Sequence, residues 1–274
     1  MFFATIFFMV VKIFVKMLPH IPPMEIVFFR CIISFLITYY LLKNQGHDIL
    51  GKNKSLLMLR GVFGTIGLYC YFVILQDIPL ATASTLIYIT PLFTTLVGVV
   101  LLKEKMKTIQ WFFLFIAFIG IVIIQGFDPR VNIFYLLVGL SGSFCAAFAY
   151  NIIRYLRDRE HSLVLMIYFP MVAFPVGGIL SIFNWVQPSF YDLIILISIG
   201  IFTQFAQYFM TKSFQSEKVS KVSIVSYSEL VFVVLIGNIF FNENFDILVY
   251  IGMLLVTFGV VFNILLSKDD KKYL

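Results

Sequence analysis

Residues 108–127 read TIQWFFLFIAFIGIVIIQGF, an uncharged run that is apolar along nearly its whole length. An α-helix rises 1.5 Å per residue, so about 20 residues cross the roughly 30 Å of hydrocarbon in a bilayer. Runs of similar length recur along almost all of the 274-residue chain. Because lipid offers backbone amides no hydrogen-bond partner, such segments must satisfy their amides internally as helices. The sequence therefore predicts a polytopic α-helical membrane protein.

The composition supports this prediction. Hydrophobic residues make up 61% of the chain, charged residues only 12%, and the mean hydropathy is +1.00. So few charges could not cover the surface of a water-soluble domain of this length. The three cysteines fall singly inside apolar runs, at Cys31, Cys70 and Cys145. This spacing favours small core residues over a disulfide framework or a metal site.

The chain matches itself at an offset of 139 residues, which sets Glu104 opposite Glu243. The same ungapped register gives further identical pairs: Tyr69 with Tyr208, Gln76 with Gln215, Ser84 with Ser223, Tyr88 with Tyr227, and Gly120 with Gly259. A constant register is much harder to obtain by chance than any single match. It predicts about ten transmembrane helices in two five-helix repeats, 1–126 and 131–268. Because five is odd, the second repeat would be inverted in the membrane, as in many secondary transporters.

Lysine and arginine are concentrated in alternate loops of this arrangement. The predicted cytoplasmic cations are Lys43, Lys52, Lys54, Arg60, Lys103, Lys105, Lys107, Arg154, Arg157, Arg159, Lys212, Lys218, Lys221, Lys268, Lys271 and Lys272. Only Arg130 falls in the opposite loops, so the positive-inside rule predicts that both termini are cytoplasmic. The abundance of Phe, Ile, Lys and Asn is typical of an AT-rich bacterial gene, so we expect a bacterial inner membrane protein.

The apolar start of the chain is expected to be a helix rather than a signal peptide, because it lacks a basic n-region and a small-residue cleavage site. The matching helix of the second repeat should begin near Ile133, whose counterpart would precede Met1. The first helix therefore looks shortened, and we hypothesise that the natural start lies upstream.

Several segments carry a resemblance to a known family. They are Pro23 to Arg30 (PMEIVFFR) opening the second helix, Leu59-Arg60-Gly61 opening the third, Ala81 to Lys105 with its TPLF and LKEK motifs, and Ser228 to Phe232 (SELVF). In these the sequence resembles the EamA branch of the drug/metabolite transporter superfamily over essentially the whole chain. The resemblance implies transport of amino acids, nucleosides, S-adenosylmethionine, riboflavin, nucleotide sugars or drugs. The second copy departs from the pattern at Leu230, which replaces a proline.

Two ionisable residues are the first candidates for substrate binding. Glu229 lies about ten residues past Lys218, hence roughly 15 Å into its helix, where an acid is costly unless it faces a polar interior. It could bind substrate or carry a proton, or it could be a structural carboxylate. Arg30 could hold a substrate carboxylate or phosphate, or belong to a structural cluster with Glu25. Lys12 and Lys16 are expected to snorkel towards the membrane surface.

Further candidates are polar groups in apolar helices: Tyr69, Tyr88, Tyr208, Tyr227, Thr90 and Gln204. Tyrosine offers an aromatic face and a hydroxyl, which suits the wall of a solute cavity between the two repeats. The alternative is ordinary hydrogen bonding between helices.

An enzyme is not expected, because the sequence has no HExxH, GxSxG or Walker motif, and His20, His47 and His161 are isolated. No cofactor, metal or nucleic acid is predicted; the partners expected are a small solute and lipid, with a homodimer left open. The function predicted is gradient-driven transport of a small organic metabolite by alternating access. The cations weakly favour a zwitterionic or anionic solute. A membrane receptor or assembly factor on the same fold is the alternative.

Overall fold

A computed structural model describes residues 1–46, 48–87, 89–102, 108–127, 132–216, 228–242 and 246–266. Within these ranges the chain is helical and contains no strand. The helices are α1 (Phe2–Lys16), α2 (Pro23–Asn44), α3 (Lys54–Asp77), α4 (Leu80–Ile87), α5 (Thr90–Leu102), α6 (Thr108–Phe127), α7 (Ile133–Leu156), α8 (Ser162–Ser181), α9 (Phe190–Ser216), α10 (Ser228–Phe241) and α11 (Ile247–Leu266), with a 3₁₀ turn at Ile182–Asn184.

Six helical segments of the described chain are long and apolar enough to cross a membrane. They are Pro23–Asn44, Lys54–Asp77, Leu80–Gly98, Ile133–Leu156, Ser162–Asn184 and Phe190–Ser213. Shorter apolar helices occur at Trp111–Ile124 and Ile247–Gly259. Many large apolar side chains point outwards from these helices, such as Phe190, which is 81% exposed. The chain is therefore a multi-span membrane protein, because a bilayer is the solvent that suits such a surface.

The helices run up and down between two ends of the bundle. At one end, which we call the Met1 end, the terminal amine donates to Ser213 Oγ near the end of α9 (2.7 Å). At the other, the Lys16 end, Lys16 Nζ donates to the carbonyl of Ile78 just after α3 (2.8 Å). The principal helix pairs are α2 with α8, α3 with α7, α1 with α9, and α6 with α11.

Small residues let these pairs approach closely. A Cβ atom on Gly61 of α3 would lie 2.7 Å from the carbonyl oxygen of Tyr168 in α8, and one on Gly142 of α7 would lie 2.7 Å from Cβ of Cys70. Such backbone contact is a common way for helices to associate in lipid, where apolar burial alone gives little drive.

The start of the third helix differs from the sequence prediction. The sequence indicated that it opens at Leu59-Arg60-Gly61, whereas α3 begins at Lys54. Arg60 is therefore six residues inside the helix and only 4% exposed, instead of lying in a loop. The neighbouring cations Lys52 and Lys54 gave this stretch the composition of a loop, although α3 extends through it.

Candidate solute-binding cavity

A cavity of about 220 Å³ lies inside the bundle. Its described walls come from α1 to α5 in the first half of the chain and from α7 to α9 in the second. Most of the lining is apolar or aromatic, including Phe8, Leu68, Phe72, Phe169 and Met210. A single water needs only about 10–15 Å³ by a comparable measure, so the cavity has room for a small organic solute.

Two arginines point into this cavity from opposite ends of the bundle. Arg30 lies seven residues into α2 from the Lys16 end, and Arg60 lies six residues into α3 from the Met1 end. At 1.5 Å per residue, each Cα is roughly 10 Å inside its helix. Both side chains are buried, with 3% and 4% of their surface exposed.

The two guanidinium groups share one aromatic ring. The Cζ atom of Arg30 lies 5.5 Å from the ring centroid of Phe169, and that of Arg60 lies 5.2 Å from the same centroid. Arg30 is also 5.5 Å from the ring centroid of Phe72. These distances suit cation–π attraction, which is the form of stabilisation that an apolar site can give an arginine.

A lysine, a threonine and a glutamine add polar atoms to the wall. Lys12 is 6% exposed, and its Nζ lies 3.5 Å from Ser84 Oγ and 5.7 Å from the ring centroid of Tyr71. Thr90, one of the predicted residues, donates its hydroxyl to the carbonyl of Ile87 (2.6 Å) where α5 begins. Gln207 Oε1 has no hydrogen-bond partner among the described residues.

The other predicted residues lie elsewhere or outside the described part of the chain. Gln204 is buried between α9 and α2, where its Oε1 accepts from Ser34 Oγ (2.6 Å) and its Nε2 donates to Thr38 Oγ1 (2.8 Å). Tyr69 and Tyr208 are on the exterior, 37% and 40% exposed, and Tyr69 lines a separate crevice beside Pro22.

Three predicted residues cannot be placed by their side chains. Tyr88 and Tyr227 lie outside the described residues. Glu229 is the second residue of α10, but its side chain is outside the described part of the structure.

Three cavity residues were absent from the predicted set. The sequence placed Arg60 in a cytoplasmic loop and predicted that Lys12 snorkels, and it did not single out Gln207. Lys12 lies only four residues from Lys16, the last residue of α1, so the sequence alone did not distinguish a buried lysine from one that snorkels.

The chain matches the model of the EamA-like transporter family in two segments, residues 1–126 and 133–265. It is 32% identical to the pseudopaline exporter CntI of Pseudomonas aeruginosa, over 92% of this chain and 88% of that protein. It is 29% identical to human solute carrier family 35 member G1, over 88% and 71% of the two chains. It is 24% identical to the S-adenosylmethionine uptake transporter of Rickettsia prowazekii, over 90% and 84%.

A solved crystal structure has the same fold, with a TM-score of 0.67 at 18% identity over 97% of each chain. The family match covers nearly the whole sequence, and the named relatives are transporters of small molecules rather than enzymes. This multi-span membrane protein belongs to the EamA-like transporter family.

Proposed function

We propose that the chain is a gradient-driven secondary transporter that moves a small organic metabolite across a bacterial inner membrane by alternating access. The observation that carries the proposal is the cavity between the two halves, whose walls come from α1 to α5 on one side and α7 to α9 on the other. A site at the interface of two repeats is where such transporters bind their solute. Two relatives with named solutes, pseudopaline and S-adenosylmethionine, support a metabolite of modest size.

The proposal includes ten transmembrane helices in two inverted repeats, 1–126 and 131–268. Helix boundaries support it at the offset of 139 residues found in the sequence. The starts of α2 and α8, Pro23 and Ser162, differ by this offset, as do the starts of α6 and α11, Thr108 and Ile247. The ends of α3 and α9, Asp77 and Ser216, differ by the same amount.

The contact between α6 and α11 also supports a two-fold relation. A Cβ on Gly120 would lie 2.7 Å from the carbonyl oxygen of Gly252, and one on Gly259 would lie 2.6 Å from that of Phe113. The offset carries Gly120 to Gly259 and Phe113 to Gly252, so the two contacts exchange under one rotation. An isologous contact of this kind is expected where two related halves meet about a two-fold axis.

Within this proposal, Arg30 and Thr90 are the predicted residues that reach the cavity, joined by Arg60, Lys12 and Gln207. Glu229 remains a proposed proton carrier or solute ligand in α10. The exposure of Tyr69 and Tyr208 suits contact with lipid, and the completed hydrogen bonds of Gln204 suit a brace between helices.

Flux in isolation tests the function. The purified protein in liposomes, preloaded with unlabelled solute, should accelerate uptake of the same labelled solute for at least one member of a panel of amino acids, S-adenosylmethionine, thymidine and riboflavin. Imposed proton and sodium gradients then identify the driving ion. Protein-free liposomes are the control. A folded protein that moves no member of the panel, or of a wider metabolite extract, would favour the receptor or assembly-factor alternative.

A further inference from the structure

The charges that line the cavity are all of one sign among the described residues. Lys12, Arg30 and Arg60 face it, and no described carboxylate does. Arg30 and Arg60 lie beside one ring in a small apolar space, where their charges repel each other and removal from water weakens their hydration. Neither guanidinium has a carboxylate partner among the described residues, so this pair is electrostatically incomplete without a negative group.

The two arginines also have hydrogen atoms with no acceptor. Nε of Arg30, and Nε and Nη1 of Arg60, are buried without a hydrogen-bond partner in the described part of the chain. A buried donor left unsatisfied is strongly unfavourable, and more so when it is charged. The shared ring of Phe169 lies within cation–π distance of both guanidinium groups, but a phenyl ring has no oxygen or nitrogen atom to accept these N–H groups.

Guanidinium donors are arranged as a rigid fork that matches the paired oxygens of a carboxylate or phosphate. We propose that the solute carries an oxyanion, a carboxylate or a phosphate, which binds between Arg30 and Arg60. This assignment rests on the proposed transport function only in naming the bound molecule as the transported one.

The other residues that line the cavity indicate the chemistry of the remainder of the solute. Phe8, Leu68, Phe72 and Met210 form apolar walls. The amide oxygen of Gln207 has no hydrogen-bond partner in the described structure, so it can accept a hydrogen bond from a polar group of the solute. The solute is then a small organic anion with an apolar body and a second polar group, rather than an inorganic ion that would leave the apolar walls unused.

Binding to the purified protein tests the assignment without requiring flux. The probes are N-acetylphenylalanine, its neutral carboxamide, phenyl phosphate, phenethylamine, succinate, S-adenosylmethionine and thymidine, each assayed by thermal stabilisation and by calorimetry. We expect stabilisation by at least one carboxylate or phosphate probe and none by the matched carboxamide or amine. Binding by the carboxylates alone or by phenyl phosphate alone identifies which oxyanion the site prefers.

The variants R30Q and R60Q should each lower the affinity for the anion that binds by roughly 10- to 100-fold, because each loses charge-assisted hydrogen bonds. The matched control is R159Q, which removes the same charge from an exposed side chain that donates to Tyr155 Oη, outside the cavity. Should a glutamine variant fail to fold, R30K and R60K retain the charge but lose the fork, and they should still weaken binding at least several-fold.

Three outcomes would overturn the assignment: no binding of any oxyanion probe, equal binding of N-acetylphenylalanine and its carboxamide, or anion affinity unchanged in both arginine variants. Flux separates this result from the proposed function. Transport of a neutral or cationic solute without oxyanion binding would retain the transporter and reject the arginine site. Oxyanion binding without flux of the bound probe would retain the arginine site and count against the transporter.

Discussion

At each end of the bundle an acidic side chain holds neighbouring segments together, and the two ends differ in how it does so. At the Met1 end, Glu160 in the loop between α7 and α8 accepts from the backbone amides of Lys52 and Asn53 (2.8 and 2.6 Å) and from Asn53 Nδ2 (3.0 Å). At the Lys16 end, Asp192 in the first turn of α9 lies 3.2 Å from His20 Nε2, in the loop between α1 and α2. We call these contacts the Glu160 clasp and the Asp192 clasp.

The offset of 139 residues relates the two clasps, because it carries Asn53 to Asp192. In each clasp the acid lies at the N-terminus of the third helix of one half of the chain, Glu160 beside α3 and Asp192 in α9. The helix dipole favours negative charge at this position. Only at the Met1 end does that acid come from the other half of the chain. The Glu160 clasp therefore joins the halves with three hydrogen bonds, whereas Asp192 uses most of its bonds locally, on Ser189. The difference predicts that the Met1 end is held more firmly.

Removal of the Glu160 carboxylate should have the largest effect. In E160A the backbone amides of Lys52 and Asn53 lose their acceptor, and the N-terminus of α3 loses its negative charge. We expect a loss of about 2–3 kcal/mol, measured as a lower melting temperature in detergent. The control is D158N, which alters an exposed acid two residues away whose partner is Arg157. Equal melting of the two variants would show that the clasp contributes little.

The loop that presents these amides gives the second prediction. Gly51 has a φ of +59°, and a Cβ there would lie 2.8 Å from Glu160 Oε2 and 2.8 Å from Val164 Cγ1. G51A should therefore combine the backbone penalty of roughly 1 kcal/mol with displacement of the clasp. Gly46 has a similar φ of +69° but nothing within 4 Å of its Cβ position, so G46A measures the backbone penalty alone. A G51A variant no less stable than G46A would contradict the crowding.

Much of this fold could be predicted from the sequence, because the length of an apolar run and the scarcity of charge are local properties. Helix α7 begins at Ile133, as the sequence predicts. Arg30 was identified because it interrupts an apolar helix. Arg60 was missed because Lys52 and Lys54 made its surroundings resemble a loop, and local composition does not reveal that α3 starts at Lys54.

The tyrosines show a different limit. Tyr69 and Tyr208 were chosen because the repeat relates them, and the structure gives them closely similar exposures of 37% and 40%. Symmetry predicts that two positions share an environment, but it does not say whether that environment is the cavity or the exterior. The direction of a side chain depends on how the helix is rotated in the bundle, which follows from packing between distant segments.

The third prediction concerns the local bonds of Asp192. This carboxylate accepts from the backbone amide and hydroxyl of Ser189 (2.9 and 2.7 Å). D192N should weaken these bonds and cost about 1 kcal/mol, as for loss of a helix cap. The comparison variant is S189A, which removes the capping hydroxyl but leaves the acid beside His20. A larger loss of stability in D192N than in E160A would mean that the Lys16 end, not the Met1 end, is held more firmly.

The smallest loss of stability is expected in H20Q. The His20 side chain is 52% exposed, and exposed ion pairs contribute at most about 0.5–1 kcal/mol because water and salt screen them. Glu25 also links the halves at this end by accepting from the backbone amide of Val186 (3.1 Å), so H20Q leaves one bond in place. Melting of H20Q should be nearly that of the unmodified protein, and a shift as large as that of E160A would contradict the weak clasp.

The same variant should nevertheless alter access to the cavity. Under alternating access, weakening one clasp favours opening at its own end. The reporter is A149C, which places a cysteine at a cavity-lining position that is 4% exposed. The three native cysteines are first replaced by alanine so that only the reporter reacts. In sealed vesicles of defined orientation, H20Q should raise labelling by an impermeant maleimide several-fold from one side, and E160Q from the opposite side. Labelling raised from the same side by both variants would mean that the clasps are structural braces, because loosening a gate changes access only through the end that it closes.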